Sequence, residues 1–396
     1  MSGGSEYLAI PGPSVMPDAV LRAMHRKAPN IYEGALVDMT GRIVEDLNKI
    51  AFSSGHVALY VCNGHGVWEA ALSNTVTPGD KVLALVTGNF AGVWADIAEQ
   101  LGADVERMDF GLQSPVDPDQ LEARLRADTE HKITMILATA TDTATSIRND
   151  MRAMRAAIDA AGHPAVLAID AVAAFACDDI RMDDWGIDML LTGSQKGLMT
   201  PPGMGVLFYN DRADALRDRA ERVTPYWDWR PRTQPDVFYR YFYGTAPTHH
   251  LHGMRAALDM ILDEGIEAVF ARHARLAQGI WAAAEAWGEG GALRLNVADR
   301  AARSHAVTAL SLTGEDGTRL RRWTEHEAGL TLGIGIGFAE RDDPGWHSHF
   351  RIGHMGHVNT HMIMGALGTI EAGFHALGIS HGSGALSAAA KAMAQS

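Results

Sequence analysis

The sequence predicts an α/β protein: a large domain on a mostly parallel sheet, followed by a smaller α/β domain. Three observations predict it. Short apolar runs recur at 57–62, 81–87, 133–139, 165–169, 188–192 and 205–209. They are hydrophobic on both faces, as buried parallel strands are. Helical patterns at 67–76, 93–101, 118–127 and 151–161 fall between several of them, the alternation that carries crossover connections over a sheet. Beyond 224–247, an interval rich in Trp, Tyr, Arg and Pro, the pattern changes to long helices.

Taken in order, each run ends in residues that stop a strand. The first closes at Asn63-Gly64, the second at Gly88-Asn89 and the third before Thr141-Asp142-Thr143. The fourth closes at Asp170 and the fifth at Gly193-Ser194. A helix over 252–262 precedes a longer one over 266–287, where Val269, Phe270, Leu276 and Ile280 form an apolar stripe. Strands at 306–312 and 350–353, with helices at 318–328 and 359–377, make the smaller domain, its boundary near residue 266. The Ala-rich tail after Ser380 reads as a short helix or a frayed end, and no internal repeat is visible.

Bulk properties bound the function. At 396 residues the chain is long for one core. Its 47% hydrophobic and 21% charged content is ordinary for a soluble globular protein. A net charge of −14 argues against a nucleic-acid partner. Two cysteines, Cys62 and Cys177, make no disulfide framework and fit a reducing, cytoplasmic setting. The start carries no secretory signal pattern, and no apolar run reaches the roughly 20 residues that span a bilayer.

The chemistry is concentrated at strand ends, where open α/β sheets bind ligands. Lys196 follows one apolar run and Asp170 another, where charge is costly unless paired or functional. A lysine amine that condenses with an aldehyde, and a carboxylate that keeps a pyridine nitrogen protonated, are what pyridoxal 5'-phosphate (PLP) requires of a protein. Cys62-Asn63-Gly64-His65-Gly66 hands a strand over to a helix, whose exposed N–H groups suit a phosphate. Gly88-Asn89-Phe90 adds an aromatic ring, and Thr141-Asp142-Thr143-Ala144-Thr145 adds hydroxyls.

These segments resemble the class V, fold type I PLP-dependent aminotransferases. Among them are the alanine–, serine– and aspartate–glyoxylate enzymes and pyridoxamine–pyruvate aminotransferase. The resemblance runs from Pro11-Gly12-Pro13 through Gly64-His65, Glu69-Ala70-Ala71, Thr77-Pro78-Gly79-Asp80-Lys81, Thr192-Gly193-Ser194-Gln195-Lys196-Gly197 and Pro201-Pro202-Gly203 to Phe350-Arg351-Ile352-Gly353-His354-Met355-Gly356. It implies an N-terminal segment, 1–20, near the active site, a large PLP-binding domain, 21–265, on a mostly parallel seven-stranded-type sheet, and a small C-terminal α/β domain, 266–396.

By position, Lys196 would hold PLP and move a proton, and Asp170 would pair with the pyridinium nitrogen. Phe90 would stack on the ring, with Trp94 its competitor, and Val172 would pack on the other face. Thr143 would reach the phenolic oxygen, and Asn63, Gly64, His65 and Gln195 would hold the phosphate. The family more often shows Glu before that hydroxyl residue, and Ser146 stands where it usually has Gly. Thr245 and a tyrosine would complete the phosphate site from the second subunit of a homodimer. Phe242 falls at the expected tyrosine position, with Tyr243 beside it. Arg351 would fork onto the substrate carboxylate, with Gly12 and Tyr32 beside it. Glu33, Trp227, Trp229, Arg230, His249 and His250 are further pocket candidates. The implied activity moves an amino group from an amino acid to a small 2-oxo acid such as glyoxylate or pyruvate.

Rival readings are a PLP-dependent lyase or desulfurase of the same fold, a binding module that has lost catalysis, and a metal site. The desulfurase needs a mobile cysteine near the substrate, and Cys62 and Cys177 sit at strand ends. Lys196, Asp170 and Arg351 together argue against loss of catalysis. The histidines 347, 349, 354, 357 and 361 lack the cysteine or paired carboxylate that would complete a ligand set. Gly333-Ile334-Gly335-Ile336-Gly337 lacks the strand–turn–helix unit of a dinucleotide fingerprint.

Overall fold

The protein is described here by a computed structural model over residues 4–394. Residues 1–3 and 395–396, at the outer ends of the first and last expected segments, lie outside the described residues. A seven-stranded sheet runs in the spatial order His56–Tyr60, Gly205–Tyr209, Met189–Gly193, Val166–Asp170, Ile133–Thr139, Lys81–Val86, Asp104–Asp109. Gly205–Tyr209 runs antiparallel to both neighbours, and the remaining pairings are parallel. The carboxyl ends of His56–Tyr60, Lys81–Val86, Ile133–Thr139, Val166–Asp170 and Met189–Gly193 therefore meet along one edge. Buried apolar clusters cover both sheet faces, which is why these strands read as continuous hydrophobic runs.

The strand Asp104–Asp109 escaped the sequence reading because its alternating charges belong to a sheet edge. Glu106 there takes two hydrogen bonds from Arg124 and pairs with Lys81 at 3.0 Å; such edge charges discourage pairing with another chain. The helix Ala35–Ala51 also escaped, although Leu36, Met39, Ile43, Leu47 and Ile50 make a buried stripe.

A second, five-stranded sheet has the order Tyr7–Ala9, Leu330–Ile334, His349–Gly353, Val307–Ser311, Arg294–Leu295. Tyr7–Ala9 pairs in parallel with Leu330–Ile334. Gly265, at φ 87°, separates the helices Thr248–Glu264 and Ile266–Glu289. Val269 packs with the core of the large sheet, whereas Leu276, Ile280 and Trp287 pack with the small one. The tail forms the helix Ala385–Ala394, which buries Ala385, Ala389 and Met393.

Two histidines are built in as neutral groups. His273 donates from Nδ1 to Val269 O at 2.7 Å, and its Nε2 accepts the Gly356 N–H at 3.0 Å. His354 meets His305 O and the Thr308 hydroxyl at 2.9 and 3.0 Å. Burial, before all other causes, pushes His273 down to about 4 and His354 down to about 3 from 6.5. Their contribution is intact above 6.5 and is lost as the pH falls from there toward those values, at about 1.4 kcal/mol per pH unit for each. Thermal unfolding between pH 7 and 4 should show a falling midpoint. The variant His354→Gln should have a shallower acid limb, and an unchanged limb would refute the assignment.

Candidate active site

Asn63, Gly64, His65, Trp68, Phe90, Thr143, Asp170, Val172, Gln195 and Lys196 line one cavity of about 140 Å³ at the carboxyl edge of the large sheet. Asn63 caps the helix Gly64–Thr75, its Oδ1 accepting the Gly66 N–H at 3.3 Å. That leaves the amides of Gly64 and His65 at the positive end of a helix. A Cβ on Gly66 would lie 2.6 Å from Cys62 Cβ, so this turn admits only glycine.

Asp170 is buried and accepts the Val172 N–H at 2.7 Å. Burial pushes its carboxyl up to about 7, Asp142 adds to the rise, and Lys196 opposes it. Burial, then the Arg351 charge, pushes the Lys196 amine down to about 8, with Asp170 opposing. Burial thus shifts an acid up and an amine down within one cavity, the pattern of a functional pair.

The N-terminal segment lies directly against the lysine. Lys196 Nζ donates to Pro11 O. The Ser14 hydroxyl donates to Lys196 O at 2.7 Å, and the Ser14 N–H donates to Gln195 O at 2.9 Å. Gly12 has φ +98°, and a Cβ there would lie 2.5 Å from Lys196 Nζ.

Arg351 is 7% exposed and has no ion pair among the described residues. Its Nε donates to Ile334 O at 2.7 Å and its Nη1 to Thr143 O at 2.8 Å. Burial pushes it down to about 10, so it stays charged at neutral pH. This is no surface salt bridge: the guanidinium is held by two carbonyls and keeps unused donors.

Trp68 was missed by the sequence reading. It stands four residues after Gly64 on the same helix, a spacing that puts both on one face. Its ring packs against His65 at 4.6 Å, Phe90 at 6.3 Å and Trp94 at 6.1 Å. Phe90 reaches the cavity, and Trp94 lies behind Trp68, 1% exposed.

Other candidates lie elsewhere. Tyr32 is 85% exposed, and Tyr243 and Thr245 are also exposed; none lines this cavity. Phe242 is buried against Phe238 at 6.2 Å, so the outward residue of that pair is Tyr243. Trp229 stacks on Tyr209 at 4.1 Å and donates to Asp214, and Arg230 pairs with Asp214 and Asp218. These two are structural. Glu33, Trp227, His249 and His250 do not line the cavity either. Among the described residues, no group of three or more His, Cys, Asp or Glu could hold a metal ion.

Leu330–Ile334 is a strand of the small sheet, and Gly337 lies so close to the active-site loops that a Cβ would be 2.5 Å from Asn89 Cβ. Close approach accounts for that glycine. Ser146 adopts φ 62°, a conformation that favours glycine, and its hydroxyl accepts the Ala309 N–H at 3.1 Å. Burial pushes both thiols up to about 12, which leaves neither Cys62 nor Cys177 as the thiolate a desulfurase needs. A larger hollow of about 490 Å³ includes Arg155, Asp188 and Arg212. Asp188 precedes the strand Met189–Gly193, so that hollow opens at the amino ends of the strands, away from the chemistry. Asp188 is there neutralised by Arg212 at 3.0 Å.

Residues 64–332 match the family model for aminotransferase class V. The chain belongs to the class V aminotransferase family. It is 34% identical to serine–glyoxylate aminotransferase of Arabidopsis thaliana over 370 residues, 93% of this chain and 90% of that protein. It is also 34% identical to L-aspartate–glyoxylate aminotransferase of Paracoccus denitrificans over 364 residues, 91% and 89% of the two chains. The crystal structure of pyridoxamine–pyruvate aminotransferase from Mesorhizobium loti shares the fold, with a TM-score of 0.88, 24% identity and coverage of 100% and 98%.

A class V aminotransferase uses PLP, and the cavity fits such a group. Gln195 Oε1 is a buried polar atom without a hydrogen-bond partner, on a residue that lines it. A polar ligand would relieve it.

Proposed function

We propose that this aminotransferase passes the amino group of an amino acid to glyoxylate or pyruvate, using the Lys196 cavity. One observation carries the reading: a lysine and a buried carboxylate line one cavity, and a buried arginine without an acid partner among the described residues is tied to its wall at Thr143. The named relatives act with glyoxylate or pyruvate, which supports a small 2-oxo acid as acceptor.

Asn63, Gly64, His65 and Gln195 would hold the phosphate of PLP, Phe90 and Val172 would bracket its ring, and Thr143 would meet its phenolic oxygen. When bound, PLP supplies an electron sink for the pair left by a broken Cα–H bond. Asp170 keeps that sink effective by holding positive charge at the pyridine nitrogen. Lys196 Nζ binds the group and carries the proton. Arg351 orients the substrate by its carboxylate, and the Gly12 segment closes the space beside the lysine.

The working unit we infer is a homodimer in the cytoplasm, with Tyr243 and Thr245 of each subunit completing the cavity of the other. Tyr32, Val61, Val237, Tyr239 and Tyr243 are large apolar side chains left exposed, as a surface awaiting a second copy would leave them. No helix of the described residues is long and apolar enough to cross a membrane. We assign 1–20 to an active-site strap, 21–265 to the large domain and 266–396 to the small one.

The test is a panel of serine, alanine, aspartate and pyridoxamine as donors, against glyoxylate and pyruvate as acceptors, followed by the cofactor's absorbance. At least one pair should convert the cofactor in both half-reactions. Failure of every amino donor to change the spectrum would overturn the reading.

A further inference from the structure

Asp142 is fully buried in the loop between the strand Ile133–Thr139 and the helix Met151–Ala160. Its Oδ2 accepts the N–H of Phe90 at 2.9 Å and of Ala91 at 3.1 Å, and its Oδ1 accepts the Ala144 N–H at 2.9 Å. Among the described residues it has no ion pair. Phe90 and Ala91 belong to the first turn of the helix Asn89–Gln100, whose own cap position is Gly88 and offers no side chain. Asp142 therefore does for this helix, from a separate loop, what a capping Ser or Asp does from the chain itself.

Space enforces the arrangement. A Cβ on Gly88 would lie 2.4 Å from Asp142 Cγ. The Ala144 bond fixes the turn that has Thr143 at its centre, and the Thr143 carbonyl in turn accepts Arg351 Nη1. One carboxylate thus joins the ring of Phe90, the hydroxyl of Thr143 and the anchor of Arg351. All three of its partners are donors, so an amide in its place would set N–H against N–H.

We propose that Asp142 is a positioning residue for the PLP site: it holds Phe90 and Thr143 in fixed register across the cavity. The proposal rests on the reading of those two side chains as cofactor contacts. Its loss should loosen the bound cofactor without removing any group that touches it.

The experiment titrates apoprotein with PLP for Asp142→Asn, Gly88→Ala and Phe90→Leu. It reads the dissociation constant, the visible circular dichroism of the bound cofactor and thermal unfolding of the apoprotein. Asp142→Asn and Gly88→Ala should each raise the dissociation constant by ~10-fold, the scale of a lost cap, and weaken the dichroism as Phe90→Leu does. Gly88→Ala leaves Asp142 in the chain, and it decides the matter if Asp142→Asn does not fold. A lowered unfolding midpoint with wild-type PLP affinity and dichroism would make Asp142 an ordinary cap and overturn the proposal. If Phe90→Leu alters both readings while the other two variants do not, the proposal fails and the reading of Phe90 stands. If Phe90→Leu alters neither, that reading fails and takes the proposal with it.

Discussion

Lys196→Ala should abolish turnover and leave no cofactor that borohydride can fix to the protein. The loss of proton transfer alone is worth about 10²–10⁴-fold, and loss of the covalent anchor adds to it. The check is single-turnover kinetics together with mass analysis after reduction; cofactor still trapped on the variant would mean that another lysine is the anchor. A pH series on the wild-type apoprotein sharpens the result. Burial, then Arg351, holds the amine at about 8 rather than 10.5. Only the free amine attacks an aldehyde, so capture of PLP should quicken as the pH rises through about 8 and level off above it. A midpoint near 10.5 would mean that the amine is solvated.

Arg351→Lys carries the second large effect. The guanidinium spends Nε and Nη1 on the carbonyls of Ile334 and Thr143 and so is aimed before any substrate arrives. An ammonium cannot hold two carbonyls and a carboxylate in one plane. With hydrogen bonds to charged groups worth about 1.5–3 kcal/mol each, KM for amino and 2-oxo acids should rise by about 10²-fold. PLP retention should change little, because Arg351 does not line the PLP cavity. Unchanged KM in steady-state assays with saturating PLP would remove Arg351 from carboxylate recognition.

The interior of the large sheet was legible because buried strands such as Ile133–Thr139 are mostly apolar on both faces, and the chemistry sits at their ends. Asp104–Asp109 was not, since an edge strand is half solvated and its DVERMD sequence reads as loop. Lys196 and Asp170 stood out as charges placed after apolar runs. Trp68 did not, because an aromatic on an apolar helix resembles any core residue until its ring is seen to line the cavity. The link between Asp142 and Phe90 joins residues 52 positions apart, a separation that local pattern cannot reveal. The choice between Phe90 and Trp94, both aromatic and near one strand end, also required the packed helix.

The parallel pairing of Tyr7–Ala9 with Leu330–Ile334 has a bearing on how the protein is made. The first strand leaves the ribosome roughly three hundred residues before its partner, so it waits unpaired while the large sheet forms. Until it docks, Pro11 and Gly12 are tied to the lysine's loop from one side alone, through Ser14. The nascent chain can therefore complete most of its architecture and still lack a finished catalytic centre, which arrives with one of the last and most distant contacts in synthesis.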